Sequence, residues 1–170
     1  TGVQTCALLI SNARKIAKKL ERKVSSKVKG NMNSEHNKWM KTREIQNLKD
    51  YILNENNVDP NIVNIRWNVD AYLREIIRLL ILKSIHRDFC DLQLSPLSKE
   101  IEDVWCFFLL HTQDYRSFVH KMTLQYCNES YFIDHNPMKA FETTQRQETL
   151  ERTKMVYISR YNTLPSIFPP

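Results

Sequence analysis

Glycine is nearly missing from this chain. Two occur in 170 residues, Gly2 and Gly30, where average usage of about 7% would supply roughly 12. A G-x-G-x-x-G dinucleotide turn, a G-x-x-x-x-G-K-[ST] phosphate cradle and a G-x-S-x-G nucleophile elbow each need several such positions. Those motifs require positive φ or close backbone approach, which side chains resist. Nucleotide cofactors bound in these ways, and α/β-hydrolase chemistry, are therefore excluded. Cysteine is sparse too: Cys90, Cys106 and Cys127, with Cys6 in the first ten residues, and no C-x-x-C spacing. That is a poor disulfide framework, so a reducing compartment is expected, cytoplasmic or nuclear. Long apolar runs are absent as well. The densest stretch, Ile76 to Leu82, is interrupted by Arg78, and no transmembrane segment is predicted.

Basic residues are abundant but unevenly placed. The net charge is +6. Between Ser11 and Lys29 lie Arg14, Lys15, Lys18, Lys19, Arg22, Lys23, Lys27 and Lys29 against Glu21 alone, a local charge of +7. Residues 30–57 balance at four of each sign, and residues 58–170 carry 13 basic and 14 acidic side chains. The basic character belongs to one arm. A helix through it would carry a broad positive band, suited to a phosphate backbone, an import receptor, an acidic protein groove or an acidic membrane surface. A solvated tail is the plainer reading of such a charge run. No aromatic residue interleaves the arm, which disfavours base stacking on single strands.

The first ten residues, TGVQTCALLI, resemble the translation of a common sequencing-library adapter, TGVQTCALPI. They are read as an artefact and set aside. The natural N-terminus, and any signal peptide before it, is then undefined.

Five helices are predicted. The arm places Ala13, Ile16, Ala17, Leu20, Val24 and Val28 at helical intervals and stops at Gly30-Asn31. A weaker pattern from about Asn37 to Leu53 uses Met40, Ile45, Leu48 and Ile52. The run from Asn54 to Pro60 reads as a linker, so a domain boundary is placed there, with 11–57 as a basic helical extension and 58–170 as the domain. From Asn68 to about Ile85, Val69, Leu73, Ile76, Ile77, Leu80 and Ile81 form a broad apolar face. One long helix follows, capped by Ser95-Pro96 or by Ser98 and ended by Asn128. It carries Ile101, Val104, Trp105, Phe108, Leu109, Tyr115, Phe118, Val119 and Met122. Leu150, Thr153, Tyr157 and Tyr161 mark the last helix, closed by Pro165. No stretch alternates with period two. The expected fold is all-α: a compact domain of three or four main helices behind a basic helical extension.

Three segments carry a family resemblance: LSPLSKEIEDVWCFFLLHTQDYRSFV (Leu94 to Val119), YFIDHNP (Tyr131 to Pro137) and LERTKMVYISRYNTLPSIFP (Leu150 to Pro169). With VDAYLREIIRLLILKSIHRDF (Val69 to Phe89), they resemble the glycine-rich domain-containing protein-like family, over residues 69 to 169. Val104, Trp105, Leu110, Thr112, Tyr115, Phe118, Phe132, His135 and Pro137 agree with its pattern. The family's H-x-H after tryptophan is Cys106-Phe107-Phe108 here, its later cysteine is Val119, and its H-H is Asp134-His135. The resemblance implies a helical domain and no established reaction.

Cys106, Asp134 and His135 have zinc-ligand chemistry, sulfur, carboxylate and imidazole, but would need a further donor supplied by tertiary packing. Against that stands the reading of Cys106 as a small core residue and His135 as a hydrogen-bonded turn residue. Two functions follow as expectations. One is a non-catalytic interaction module with a protein partner, its arm contacting an acidic partner or nucleic acid. The other is a metal-binding or metalloenzyme domain using Cys106, Asp134 and His135, with zinc as the cofactor.

Overall fold

A computed structural model of the chain describes residues 35–54, 60–90, 93–135 and 143–165, with the side chains of 60, 61 and 143–145 left aside. The arm from Arg14 to Lys29, with the helix predicted for it, lies outside the described residues. The chain divides into two units, Thr1–Glu35 and His36–Pro170. The second is considered from here on.

After a helical stretch at 36–40 come α1 (Arg43–Leu53), α2 (Pro60–Arg66), α3 (Val69–Ile85), α4 (Lys99–Leu110), α5 (Thr112–Cys127) and α6 (Thr143–Tyr161). No strand occurs among the described residues. The fold is all-α, and none of these helices is long and apolar enough to cross a membrane.

The centre of the domain is α3, which packs against α1, α4 and α5. Its sequence explains the position. Val69, Leu73, Ile76, Ile77, Leu79, Leu80, Ile81 and Leu82 are all buried, so the apolar surface wraps most of the helix, as expected of an element with neighbours on several sides. On α4, Ile101, Val104, Trp105 and Phe108 supply the facing stripe at intervals of three and four; on α5, Tyr115, Phe118, Val119 and Met122 do the same.

The single long helix predicted around Trp105 is two helices. His111 breaks it with φ −84° and ψ 60°, serving as the last residue of one and the cap of the next. Its ring Nδ1 lies 2.9 Å from the Phe107 carbonyl oxygen, and its own N–H donates to Phe108 O in a tightened last turn. A side chain bonding locally to the backbone offers an alternative to the helical ladder. The stripe remains periodic across this kink, so the pattern alone does not reveal it. Of the two predicted caps, Ser98 is the one used, its hydroxyl accepting from Ile101 N at 3.3 Å.

The predicted boundary at 57/58 falls inside the second unit. Trp39, Ile45, Leu48 and Ile52 are all buried, at 3% exposure or less. Trp39 meets Phe118 edge-on at 5.1 Å. Glu44 accepts from Ser117 Oγ at 2.6 Å and from Lys121 Nζ at 2.5 Å, tying α1 to α5. Residues 36–53 are thus part of the helical core. The short α2, placed by no periodic signal, buries Ile62 and Ile65 completely.

Glycine scarcity leaves its mark on the helix ends. Arg87, Asn128 and Asn162 adopt left-handed φ of 54°, 60° and 59° where glycine is the usual occupant. Asparagine tolerates that region, whereas arginine incurs about 1–2 kcal/mol. Around Arg87 the chain makes the paired closing bonds of a helix stop, Asp88 N to Lys83 O at 2.9 Å and Arg87 N to Ser84 O at 3.2 Å. The Asp88 side chain then fixes the turn from inside the core.

Candidate functional site

The three sequence-predicted ligands sit where the loop 131–135 returns across α4. That loop is held at several points. Tyr115 O–H donates to Ile133 O at 2.6 Å, Asp134 N donates to Phe89 O at 2.8 Å, and the Tyr131 ring stacks on Phe89 at 4.1 Å. The His135 ring is thereby laid against Trp105, with centroids 4.3 Å apart, and its Nε2 lies 3.8 Å from Glu102 Oε1. Asp134 points elsewhere: it is exposed, and its Oδ1 accepts the N–H of His135 at 2.9 Å. Cys106 is half-buried on α4 rather than a core residue. Among the described residues, no three His, Cys, Asp or Glu side chains are grouped to hold a metal ion. Cys106, Asp134 and His135 therefore do not form such a group. What the geometry does is order a loop, with an imidazole filling the space between an indole face and a carboxylate.

Two polar clusters escaped the reading of the sequence. In the first, Lys83 Nζ donates to Asp88 Oδ2 at 2.7 Å and to Leu94 O at 2.6 Å, and lies 5.2 Å above the Trp105 ring. Asp88 also accepts from Gln93 N at 3.0 Å and Leu94 N at 2.9 Å. Both charged side chains are sealed from water, at 0% and 1% exposure. Such a pair is a fixture of the core, joining the end of α3 to the segment that leads into α4.

The second cluster joins 36–40, α3 and α6. Tyr157 O–H donates to the buried carboxyl of Glu75, which also accepts from Arg78 Nη1 at 2.7 Å. The Arg78 guanidinium lies 5.1 Å over the Tyr161 ring, and Tyr161 O–H donates to the Arg78 carbonyl at 3.2 Å. On Tyr161 rests the His36 ring, at 5.3 Å. Burial pushes the Glu75 carboxyl up to about 7, against the opposing pull of Arg78 and Arg74. His36 is lowered to about 4, by burial first and then by Arg78, Arg74 and Arg160. Neither ring nitrogen of His36 has a hydrogen-bond partner, nor does the buried Nε of Arg78. The sequence does hold a signal for this cluster: Glu75 and Arg78 interrupt an otherwise apolar helix face. The partners on α6, more than 80 residues away, are set by tertiary packing.

Comparison with protein-family models, with curated proteins and with solved structures yields no match to this chain.

Proposed function

We propose that the protein is a non-catalytic interaction module of the glycine-rich domain-containing-like type, in which a helical body presents a basic arm to a polyanionic partner. The observation that carries this reading is the separation of charge along the chain. Residues 11–29 hold +7, while residues 58–170 stand at −1. A body without net positive charge and an arm with so much divides scaffold from contact. The described interior supports it, because its buried ions face one another: Lys83 engages Asp88, and Arg78 engages Glu75. Nucleic acid is the polyanion tested first, since counterion release gives a readable signature.

The test measures duplex binding by fluorescence anisotropy from 50 to 200 mM salt. Affinity is expected to fall about a hundredfold or more if four or more arm residues neutralise phosphates. Changing Arg14, Lys15, Lys18, Lys19, Arg22, Lys23, Lys27 and Lys29 to glutamine is expected to abolish binding. Affinity indifferent to salt or to those changes overturns the reading. The rival zinc site at Cys106, Asp134 and His135 draws no support from the donor geometry. Stoichiometric zinc, lost in both Cys106→Ala and His135→Ala, would install it in place of the module.

A further inference from the structure

We infer that α6 is a separable cover, a helix that opens from the body as one unit while α1, α3, α4 and α5 stay folded, baring the polar cluster at Glu75, Arg78 and His36. The inference is independent of the reading given to the basic arm.

The first support is what α6 buries. Among its described residues the buried ones are Thr149, Thr153, Tyr157 and Tyr161, spaced by four along one face. Each carries a hydroxyl. The aliphatic side chains lie elsewhere: Met155 and Ile158 are exposed, at 65% and 47%, and Leu150 and Val156 are half-buried. A helix in a folded protein owes most of its stability to the packing of an apolar face. On α3 that face is made of leucines, isoleucines and a valine, whereas the described residues of α6 offer two phenol rings.

The second is how the stripe is held. Ser95 N donates to Thr153 Oγ1 at 3.0 Å, Tyr157 O–H donates to the Glu75 carboxyl, and Tyr161 O–H donates to the Arg78 carbonyl at 3.2 Å. Such bonds are exchanged for bonds to water when an element opens, so each contributes only modestly to holding it shut.

The third is what lies under the helix. The Tyr161 ring rests against the His36 imidazole at 5.3 Å and the Arg78 guanidinium at 5.1 Å. His36 is 2% exposed, and neither its ring nitrogens nor the Nε of Arg78 has a hydrogen-bond partner. Burial also disfavours the charged forms of Glu75 and His36. Lifting α6 admits water to these groups, which offsets part of the cost of opening.

The experiment is amide hydrogen exchange of the full chain, followed by NMR under conditions where rates report opening equilibria. The amides of 150–158 are expected to share one opening constant, about a hundredfold or more above that of the slowest α3 amides. Tyr157→Phe removes a bond that opening also breaks, so it should raise that constant severalfold. Val119→Ala trims a fully buried side chain of α5, which stays folded when α6 opens. It should speed exchange in α3 and α5 and leave residues 150–158 unchanged. Exchange graded inward from the end of α6 would mean fraying and would overturn the cover. So would α6 amides as slow as those of α3, indifference to Tyr157→Phe, or equal acceleration of α6 and α3 by Val119→Ala. The wild-type comparison decides the matter even where a variant fails to fold.

Discussion

Lys83 and Asp88 face each other across 2.7 Å in a part of the core that water does not reach. Their pairing closes the turn that ends α3, because Asp88 also receives the N–H groups of Gln93 and Leu94. Taking two ions out of water is expensive, and the pair contributes little net stability over apolar side chains. Breaking it is another matter.

Asp88→Ala would remove the carboxylate that faces the buried Lys83 ammonium and leave two backbone donors, Gln93 N and Leu94 N, unmet. A loss of about 3–5 kcal/mol is expected from removing one partner of a buried pair. Lys83→Met combined with Asp88→Asn removes both charges and keeps an oxygen for one of the two backbone donors, which bond to different oxygens of Asp88, so it should recover part of that loss. Urea denaturation of the two variants measures the difference. A double variant no more stable than Asp88→Ala would show that the charges are not what the turn requires.

Glu75 and His36 make opposite demands on pH. Glu75 is raised from 4.5 to about 7, so the folded state holds its proton more tightly than the unfolded chain does. Its contribution is full below pH 4.5 and is lost as pH rises to about 7. His36 is lowered from 6.5 to about 4, and its contribution is full above pH 6.5 and lost as pH falls to about 4. Each slope amounts to about 3–4 kcal/mol at most across its window. In the wild type they offset one another between pH 4.5 and 6.5. Subtracting the wild-type profile, Glu75→Gln should leave stability rising with pH in that window, and His36→Gln should leave it falling. Urea midpoints in phosphate-free buffer decide the matter; two difference profiles of the same sign would contradict the assignment.

The backbone scheme was more legible than the chemistry. α3 announces itself because Val69, Leu73, Ile76, Ile77, Leu80 and Ile81 repeat over a full helix length, and its ends fall where the pattern stops. The break at His111 is hidden because Phe108 and Tyr115 stay on one stripe across it. α2 is too short, at 7 residues, to establish a period. Residues 36–53 read as an extension because charged side chains lie between their apolar ones, although Ile45, Leu48 and Ile52 are fully buried. The buried ions fared worst. A period count treats Lys83 and Glu75 as solvent-facing, and their burial is made tolerable by partners that it does not see, among them Asp88 beyond the helix end and Tyr157 on α6. For Asp134 and His135, metal-ligand chemistry suggested shared work; the loop turns the first to its own backbone and the second to Trp105.

Tyr115 links two groups that would otherwise be stranded. Trp105 Nε1 donates to its oxygen at 3.0 Å, and its own O–H donates to Ile133 O at 2.6 Å. Tyr115→Phe keeps the ring and its packing on Phe108 but removes both bonds. Two buried polar groups lose a partner, so destabilisation of about 2–4 kcal/mol is expected, well beyond the loss of a methylene. The effect should concentrate in the 131–135 loop, one of whose anchors is the Ile133 bond. Hydrogen exchange at Asp134 N, together with a denaturation curve, tests this. A variant within about 0.5 kcal/mol of wild type, the range of an ordinary surface change, would be incompatible with it.

The three cysteines among the described residues provide a check on packing, first in the wild type. Cys90 is exposed, Cys106 half-buried and Cys127 buried. Cys127 sits at the end of α5, its Sγ–H donating to Ser84 O at 2.7 Å. Burial pushes its thiol up, with Glu129 adding to the shift and Arg87 opposing it. Since the thiolate is the nucleophile, both access and ionisation count against Cys127. Brief alkylation of the native protein, read by peptide mass spectrometry, should label Cys90 first, Cys106 more slowly and Cys127 last. Because Ser84 lies between Lys83 and the turn closed by Asp88, loosening that turn should expose the Sγ–H···O contact. Asp88→Ala is therefore expected to bring Cys127 labelling forward while leaving the rate at Cys90 unchanged. Labelling of Cys127 as fast as Cys90 in the wild type would mean that the end of α5 is not packed against α3 as described.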